Sequence, residues 1–425
     1  MDAQTTAQRR KNADLLILLC FTAYTAVYVA RKNYSVCMTG MIADGVLDKV
    51  TGGTAGSVFL ALYAGGQLVN GILGDRVSPR VMITLGLCGA GGCNLLMGVQ
   101  QTGALIPVIW GLNGIFCSML WSAVIRCFSE WLPDDAHDRA GIWIGATIPI
   151  GAVCSYLLCA AMIRFFDWRA AFFACGGVAI AAGLLFCFRV ERLHRALAPA
   201  GKEDGSGAEE SIHPRSQTPL LRLIVSTGLV FTVFGILANG VLKDGLDLWV
   251  PTLLCEFFGL DSSAASLLTA VLPVINLSGT VAAQQLNSRV IHCEMTVAGI
   301  MFGISVVSFI PLLILTGSGC TGLWAAILSV ILISITSASM LGANSMFLTF
   351  IPFHFSTVGR SSGVTGFLNC CSYAAAALSG VTFGMISESS GWTVTLLAFG
   401  ACALLGAVIS FVGAHFWRRG MKNIR

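Results

Sequence analysis

Charge is what this sequence has least of. Asp, Glu, Lys and Arg make up 11% of its 425 residues, against roughly 25% in soluble domains, which excludes a water-surrounded globule for most of the chain. Metal-ligand spacing is missing too. The sixteen cysteines are scattered through apolar stretches, Cys20, Cys88, Cys93, Cys154, Cys159, Cys175, Cys370 and Cys371 among them, without the pattern of a zinc site, so they read as small buried hydrophobes. No glycine-rich nucleotide loop and no nucleophile–base arrangement stands out. The chain is therefore not expected to be an enzyme or to hold a cofactor or metal, and nucleic acid is not an expected partner.

What is abundant is apolar. Hydrophobic residues reach 56% and glycines number 48, and apolar runs long enough to cross about 30 Å of hydrocarbon as helices recur along the whole length. Twelve are counted, at about 14–40, 52–74, 81–99, 104–132, 139–165, 168–188, 222–256, 262–285, 293–316, 320–352, 360–386 and 391–416. The first begins too late and runs too long for a cleaved signal peptide, and it contains Arg31, so it is expected to stay as a mature helix. Residues 1–13 read as a basic tail with Arg9, Arg10 and Lys11. Residues 191–218, rich in Gly, Ser, Pro and charge, read as a linker between an N-terminal bundle over 1–190 and a C-terminal bundle over 219–425. The expectation is an all-α, multi-pass membrane protein of twelve transmembrane helices in two pseudo-symmetric six-helix bundles.

Loop charge sets its orientation. Of the 25 Lys and Arg, eighteen fall on the side of the termini and linker, three (Lys49, Arg164, Arg169) on the other, and four (Arg31, Lys32, Arg126, Lys243) within helices. Both termini are expected in the cytoplasm, in the cell membrane. The halves also repeat weakly at offsets near 220 residues: Arg139 opens one helix and Arg360 another, Trp168 one and Trp392 another. On a similar offset Arg31 and Lys243 fall at matching depths.

A cation at mid-membrane costs about 2.5–3.5 kcal/mol on insertion scales, so it faces a polar cavity or a partner. Tyr24, Tyr28, Arg31 and Ser35 are spaced i, i+4, i+7 and i+11, one stripe of a helix. The stripe reads as the wall of an anion-attracting path. Lys32, about 100° round the helix, reads as a snorkelling or charge-balancing residue. Lys243 has Asp247 one turn on and Asp244 beside it, so it is either an anion ligand or half of an i,i+4 pair with Asp247, and the two acids are candidates for charge balance or a coupling proton. Tyr63 and Gln67, a turn apart, offer hydrogen bonds to a substrate, and Thr147, Asn276, Asn344, Asn369 and Tyr373 extend the candidate wall. Asp75, Arg76, Arg80, Arg126, Glu130 and Arg139 read as a cytoplasmic gate, a charge network that opens when the bundles rock.

The stretch Gly71-x-x-x-Asp75-Arg76-x-x-x-Arg80 resembles the loop motif of the major facilitator superfamily. Tyr28, Arg31, Lys32 and Asn33, together with Lys243, Gly245, Trp249 and Pro251, are similar to the organophosphate:phosphate antiporters within it, the family of glycerol-3-phosphate and hexose-phosphate transporters. The resemblance implies the superfamily fold, alternating access, and a phosphate site lined by Tyr24, Tyr28 and Arg31. It implies exchange of an organophosphate for inorganic phosphate. The chain departs from glycerol-3-phosphate members at Lys243, where they place Arg, at Gln67, where they place Lys, and at Thr147, where they place His; Lys meets phosphate as a point charge instead of a bidentate fork.

The expected function is a secondary active transporter of a small organic anion working as a monomer. A proton-coupled symporter of an anion such as a sugar acid stays open because Asp244 and Asp247 flank Lys243. A transporter-like membrane sensor stays open as well.

Overall fold

The computed structural model describes residues 3–73, 77–133, 136–197, 229–355 and 361–422, and among them every regular element is a helix. The first six are α1 (Ala3–Ala43), α2 (Lys49–Leu73), α3 (Pro79–Gly98), α4 (Ile106–Trp131), α5 (His137–Phe165) and α6 (Trp168–Leu197). The next four are α7 (Leu229–Glu256), α8 (Ser262–Ile291), α9 (Glu294–Gly317) and α10 (Leu323–Phe350). The stretch Ser361–Lys422 breaks at Gly391, whose φ of 78° and ψ of 177° lie where only glycine sits without strain, and this separates α11 (361–390) from α12 (392–422).

Chain and composition differ in two places. Helix α1 extends through the expected basic tail to Ala3, and α6 runs on through Glu191 to Leu197, where Arg195 pairs with Glu191 at 3.0 Å across one turn; charged i,i+4 pairs support a helix that leaves the apolar layer. The rest of the expected linker, 198–218, lies outside the described residues. Among the described residues ten stretches are long and apolar enough to cross a membrane, the last of which holds both α11 and α12.

The chain divides into two compact units, Met1–Thr51 with Val58–Ala208, and Gly52–Ser57 with Glu209–Arg425. In the first, α1 packs on α5 and α6, and α3 on α4 and α6. In the second, α8 packs on α10 and α9 on α10, while Gly240 of α7 meets the Ser372 backbone of α11 so closely that a Cβ there has no room. Small residues let helices approach in lipid, where no hydrophobic force drives them together. Gly52–Ser57 pack in the second unit, where Ser57 Oγ accepts from the Val381 amide at 3.1 Å. Large apolar side chains such as Leu184, Phe188, Val307, Ile314 and Leu405 are exposed, the outer surface of a protein whose solvent is hydrocarbon.

The repeat shows in bonds as well as residues. Trp168 Nε1, opening α6, donates to Asp44 just past α1 at 2.8 Å, and Trp392 Nε1, opening α12, donates to Glu256 at the end of α7 at 2.9 Å. Each clasp ties the first helix of a half to its sixth. Charge-assisted hydrogen bonds contribute about 1.5–3 kcal/mol, reduced here because the Asp44 side chain is 53% exposed. Trp168→Phe and Trp392→Phe are each expected to lower the melting temperature of the detergent-solubilised protein by a few degrees, equally within error. No shift in either variant would mean that packing alone holds these ends.

Candidate functional site

In the first unit the site is built around Arg31 of α1. Its guanidinium carbon lies 4.6 Å from the ring centroid of Tyr63, 5.3 Å from Phe59 and 5.6 Å from Tyr28, three rings that are themselves buried. Phe59 and Tyr63, a turn apart on α2, stack at 6.0 Å, and Phe59 stacks on Trp110 of α4 at 5.4 Å, which stacks on Tyr34 at 4.7 Å. Aromatic faces attract a cation by about 0.5–2 kcal/mol each. They hold it in a partly dry place. Gln67 Nε2 donates to Tyr63 Oη at 3.0 Å, so the pair chosen on α2 stands beside the cation. Tyr24 meets Tyr28 at 5.6 Å and Trp121 of α4 at 5.5 Å.

Three helices brace the turn that carries Arg31. Asn94 of α3 and Asn113 of α4 both donate to the Ala30 carbonyl, at 2.9 and 3.1 Å, and Ser155 of α5 donates to the Val29 carbonyl at 3.0 Å. Asn33 closes the set by donating to Asn94 Oδ1 at 2.7 Å. All four side chains are wholly buried. Sequence reasoning missed Asn94, Asn113 and Ser155; the available signal was a fully polar amide inside an apolar run. Because the Ala30 carbonyl has two donors, Asn113→Leu alone is expected to cost about 1 kcal/mol and the double variant Asn94→Leu/Asn113→Leu more than the sum of the singles. Chemical denaturation with substrate-binding isotherms checks this; strict additivity would show that the amides act separately.

Thr147 is buried on α5 and its hydroxyl donates to Ile144 of its own helix, while Ser35 Oγ donates to the Lys32 carbonyl at 3.1 Å. Lys32 itself is half-buried.

In the second unit Lys243 lies in a π-helical turn, Val241–Gly245, inserted in α7. Its ammonium is 2.8 Å from Asp244 Oδ2 and 5.8 Å from the Tyr373 ring centroid of α11. The sequence offered Asp247, one turn on, as the partner; the ion pair seen here is with the adjacent acid. Pro251, inside the helix, has no N–H for the Asp247 carbonyl four residues back. This stretch of α7 is thereby loosened on both sides of Asp247, which is half-buried. Asn369, also half-buried, precedes Tyr373 by one turn. Asn239 is spent on the Met340 carbonyl of α10 at 2.7 Å, whereas Asn276 Oδ1 and Asn344 Oδ1 are buried acceptors with no protein donor.

Of the expected gate, Asp75 and Arg76 lie outside the described residues. The others form pairs at one end of the first unit: Arg80 with Glu191 at 3.3 Å, Arg126 with Glu130 at 2.6 Å, and Arg139 with Asp14 at 3.3 Å. Arg126 also donates to the Val77 carbonyl at 3.1 Å, fixing the entry to α3. Ion pairs this exposed contribute about 0–1 kcal/mol each, which suits contacts that break and reform. Among the described residues no cluster of His, Cys, Asp and Glu has the arrangement of a metal site.

A sequence model of the Major Facilitator Superfamily matches residues 20–377. The chain is 24% identical, over 95% of its length and 91% of the other protein, to a probable hexose phosphate transport protein of Chlamydia trachomatis. It is 26% identical to the membrane sensor protein UhpC of Escherichia coli over 45% of this chain and 47% of that one. Among solved structures it resembles a bacterial homologue of the human lysosomal transporter Spinster, with a TM-score of 0.77, 14% identity and coverage of 96% and 98% of the two chains, a likeness of fold.

Proposed function

Because this chain belongs to the Major Facilitator Superfamily, we propose that it is a secondary active transporter that carries a phosphorylated small molecule across the cell membrane by alternating access, in exchange for inorganic phosphate. One observation carries the reading: a guanidinium on a membrane-spanning helix penned by Tyr28, Phe59 and Tyr63, on a scaffold whose near full-length relative is named for hexose phosphate. Arg31 binds the phosphoryl group through its planar fork of donors. Tyr28, Tyr63 and Gln67 shape the site, and Lys243 supplies the second positive charge once the anion draws it from Asp244. The change of partner couples binding to rearrangement: a ligand shifts a conformational equilibrium only by binding the two states differently. Both termini are placed in the cytoplasm, supported by the eighteen-to-three bias of loop cations.

Purified protein in phosphate-loaded liposomes tests it. Uptake of labelled glucose 6-phosphate or glycerol 3-phosphate is expected to run at least tenfold faster than in phosphate-free vesicles and to be insensitive to an imposed pH gradient. The contact between Lys243 and Asp244 favours one alternative, a proton-coupled symporter in which protonated Asp244 releases the lysine. Uptake driven by an inward proton gradient and indifferent to internal phosphate would establish the symporter in place of the exchanger. Binding without flux would instead favour a sensor, the role in the name of one relative.

A further inference from the structure

Each unit carries, at one end, a cleft where cationic side chains stand over an exposed apolar surface. In the second unit the cleft holds about 360 Å³ between the start of α9 and the end of α12. Arg418, Arg419 and His415 line it together with Phe411, and among the described residues no carboxylate does. Arg418 donates to Thr296 Oγ1 at 3.3 Å, a neutral partner. In the first unit a cleft of about 1060 Å³ lies at the corresponding seam, the start of α3 and the end of α6, with the end of α4 beside it. Its cations are Arg80, Arg126 and Arg195, set against Glu130 and Glu191, with His194 edge-on to Trp131 at 4.3 Å. Glu191 serves both Arg80 at 3.3 Å and Arg195 at 3.0 Å, so this rim also stays positive.

The depth of these clefts matters. Arg80 and Thr296 stand at the first turn of their helices, and Arg195 and Arg418 at the last, which is where a spanning helix passes from hydrocarbon into the headgroup layer. Inward of each rim the surface is apolar and exposed: Val81, Leu85 and Phe188 in the first unit, Phe411 and Val408 in the second. A cationic rim continuous with a greasy wall matches an amphiphile with a negative head. It does not match a free anion, which gains nothing from the wall. Basic pockets between membrane helices are suited to anionic headgroups, and tryptophan sits well at that level.

We propose that both clefts bind anionic phospholipid, the phosphodiester against the arginines and the acyl chains along the apolar wall, with the second unit's acid-free cleft the tighter of the two. The assignment is independent of the solute carried.

Native mass spectrometry of the detergent-purified full-length protein with added phosphatidylglycerol or phosphatidylethanolamine tests this. Wild-type protein is expected to retain phosphatidylglycerol in preference to phosphatidylethanolamine. Arg418→Gln and Arg419→Gln are each expected to lower phosphatidylglycerol retention about fivefold, the factor that goes with one cation near an anionic surface. Arg195→Gln should weaken only the second adduct, Arg418→Lys/Arg419→Lys should keep most retention, and Arg31→Ala should lose substrate binding while keeping both lipids. Equal retention of the two lipids by the wild type, or full phosphatidylglycerol retention by a well-folded Arg418→Gln/Arg419→Gln protein, overturns the proposal. If the glutamine variants do not fold, indifference of wild-type adducts to ionic strength overturns it. Displacement of phosphatidylglycerol by millimolar inorganic phosphate would reassign the clefts to free anions, and a dimer that needs Arg418 and Arg419 would reassign the second to another copy of this chain.

Discussion

Replacing Arg31 by glutamine is expected to lower kcat/KM for organophosphate uptake by two or more orders of magnitude while the protein still folds. The reason lies in what surrounds the residue. Its guanidinium is held against Tyr63, Phe59 and Tyr28 at 4.6 to 5.6 Å, and glutamine keeps a polar, planar end in that pen but brings no charge to a phosphoryl dianion. Leaving a charge unpaired in a partly buried site costs about 3–5 kcal/mol, and each 1.4 kcal/mol is tenfold. Lysine should recover part of the binding and little of the rate, because an ammonium restores the charge without the two parallel donors that orient the phosphate. Binding isotherms and proteoliposome uptake on the same preparations separate the two effects. If the glutamine variant transports at wild-type rate, the phosphate is taken elsewhere and Arg31 is structural.

The second large effect concerns Lys243 and Asp244, whose side chains are 21% and 13% exposed and whose charges are 2.8 Å apart. Lys243→Ala removes the ammonium that lies 2.8 Å from a mostly buried carboxylate. The expected outcome is a loss of stability of about 3 kcal/mol, at the lower end of the range for one-sided removal of a buried pair because some solvent reaches it, together with loss of transport. Adding Asp244→Asn to that variant removes the carboxylate's charge, so thermal stability should return to near the wild-type value. Transport should not return. That contrast distinguishes a working cation from a structural one: were the pair present only to neutralise itself, the double variant would fold and transport alike.

The fold was written in the composition to an unusual degree. Scarce charge and recurring apolar runs dictate helices, since in hydrocarbon every backbone amide must be satisfied within its own segment, and the observed helices follow those runs closely. Boundaries were read less well where charge and helix coincide. Arg9 to Lys11 and Glu191 to Arg195 look like tail and linker by composition but belong to α1 and α6, because charged i,i+4 pairs support a helix outside the membrane as readily as apolar side chains do within it.

The candidate site divides in the same manner. Arg31, Tyr24, Tyr28, Tyr63 and Gln67 could be named because a cation and polar rings at helical spacing are conspicuous among apolar residues; the structure sets Tyr28 and Tyr63 against Arg31, with Gln67 on Tyr63 and Tyr24 on Tyr28. Three features were beyond the sequence. The π-turn that holds Lys243 and Asp244 contains one extra residue, which no local residue pattern signals. Asn94, Asn113 and Ser155 lie more than sixty residues from the backbone they hold, so local spacing does not show which carbonyl each one meets. The clefts at the seams of α3 with α6 and α9 with α12 exist only where two distant helix ends are packed together.

By itself, then, the sequence determined that the chain crosses a membrane repeatedly, in helices, as two similar halves, with a positive charge inside a spanning segment of each; solvation energies of single segments are enough to decide that. Tertiary packing alone decided which neighbours those charges have. Whether a buried cation meets a ring, an acid or a substrate is a matter of a few ångströms, and those distances are set by helices that touch across a hundred residues of intervening chain.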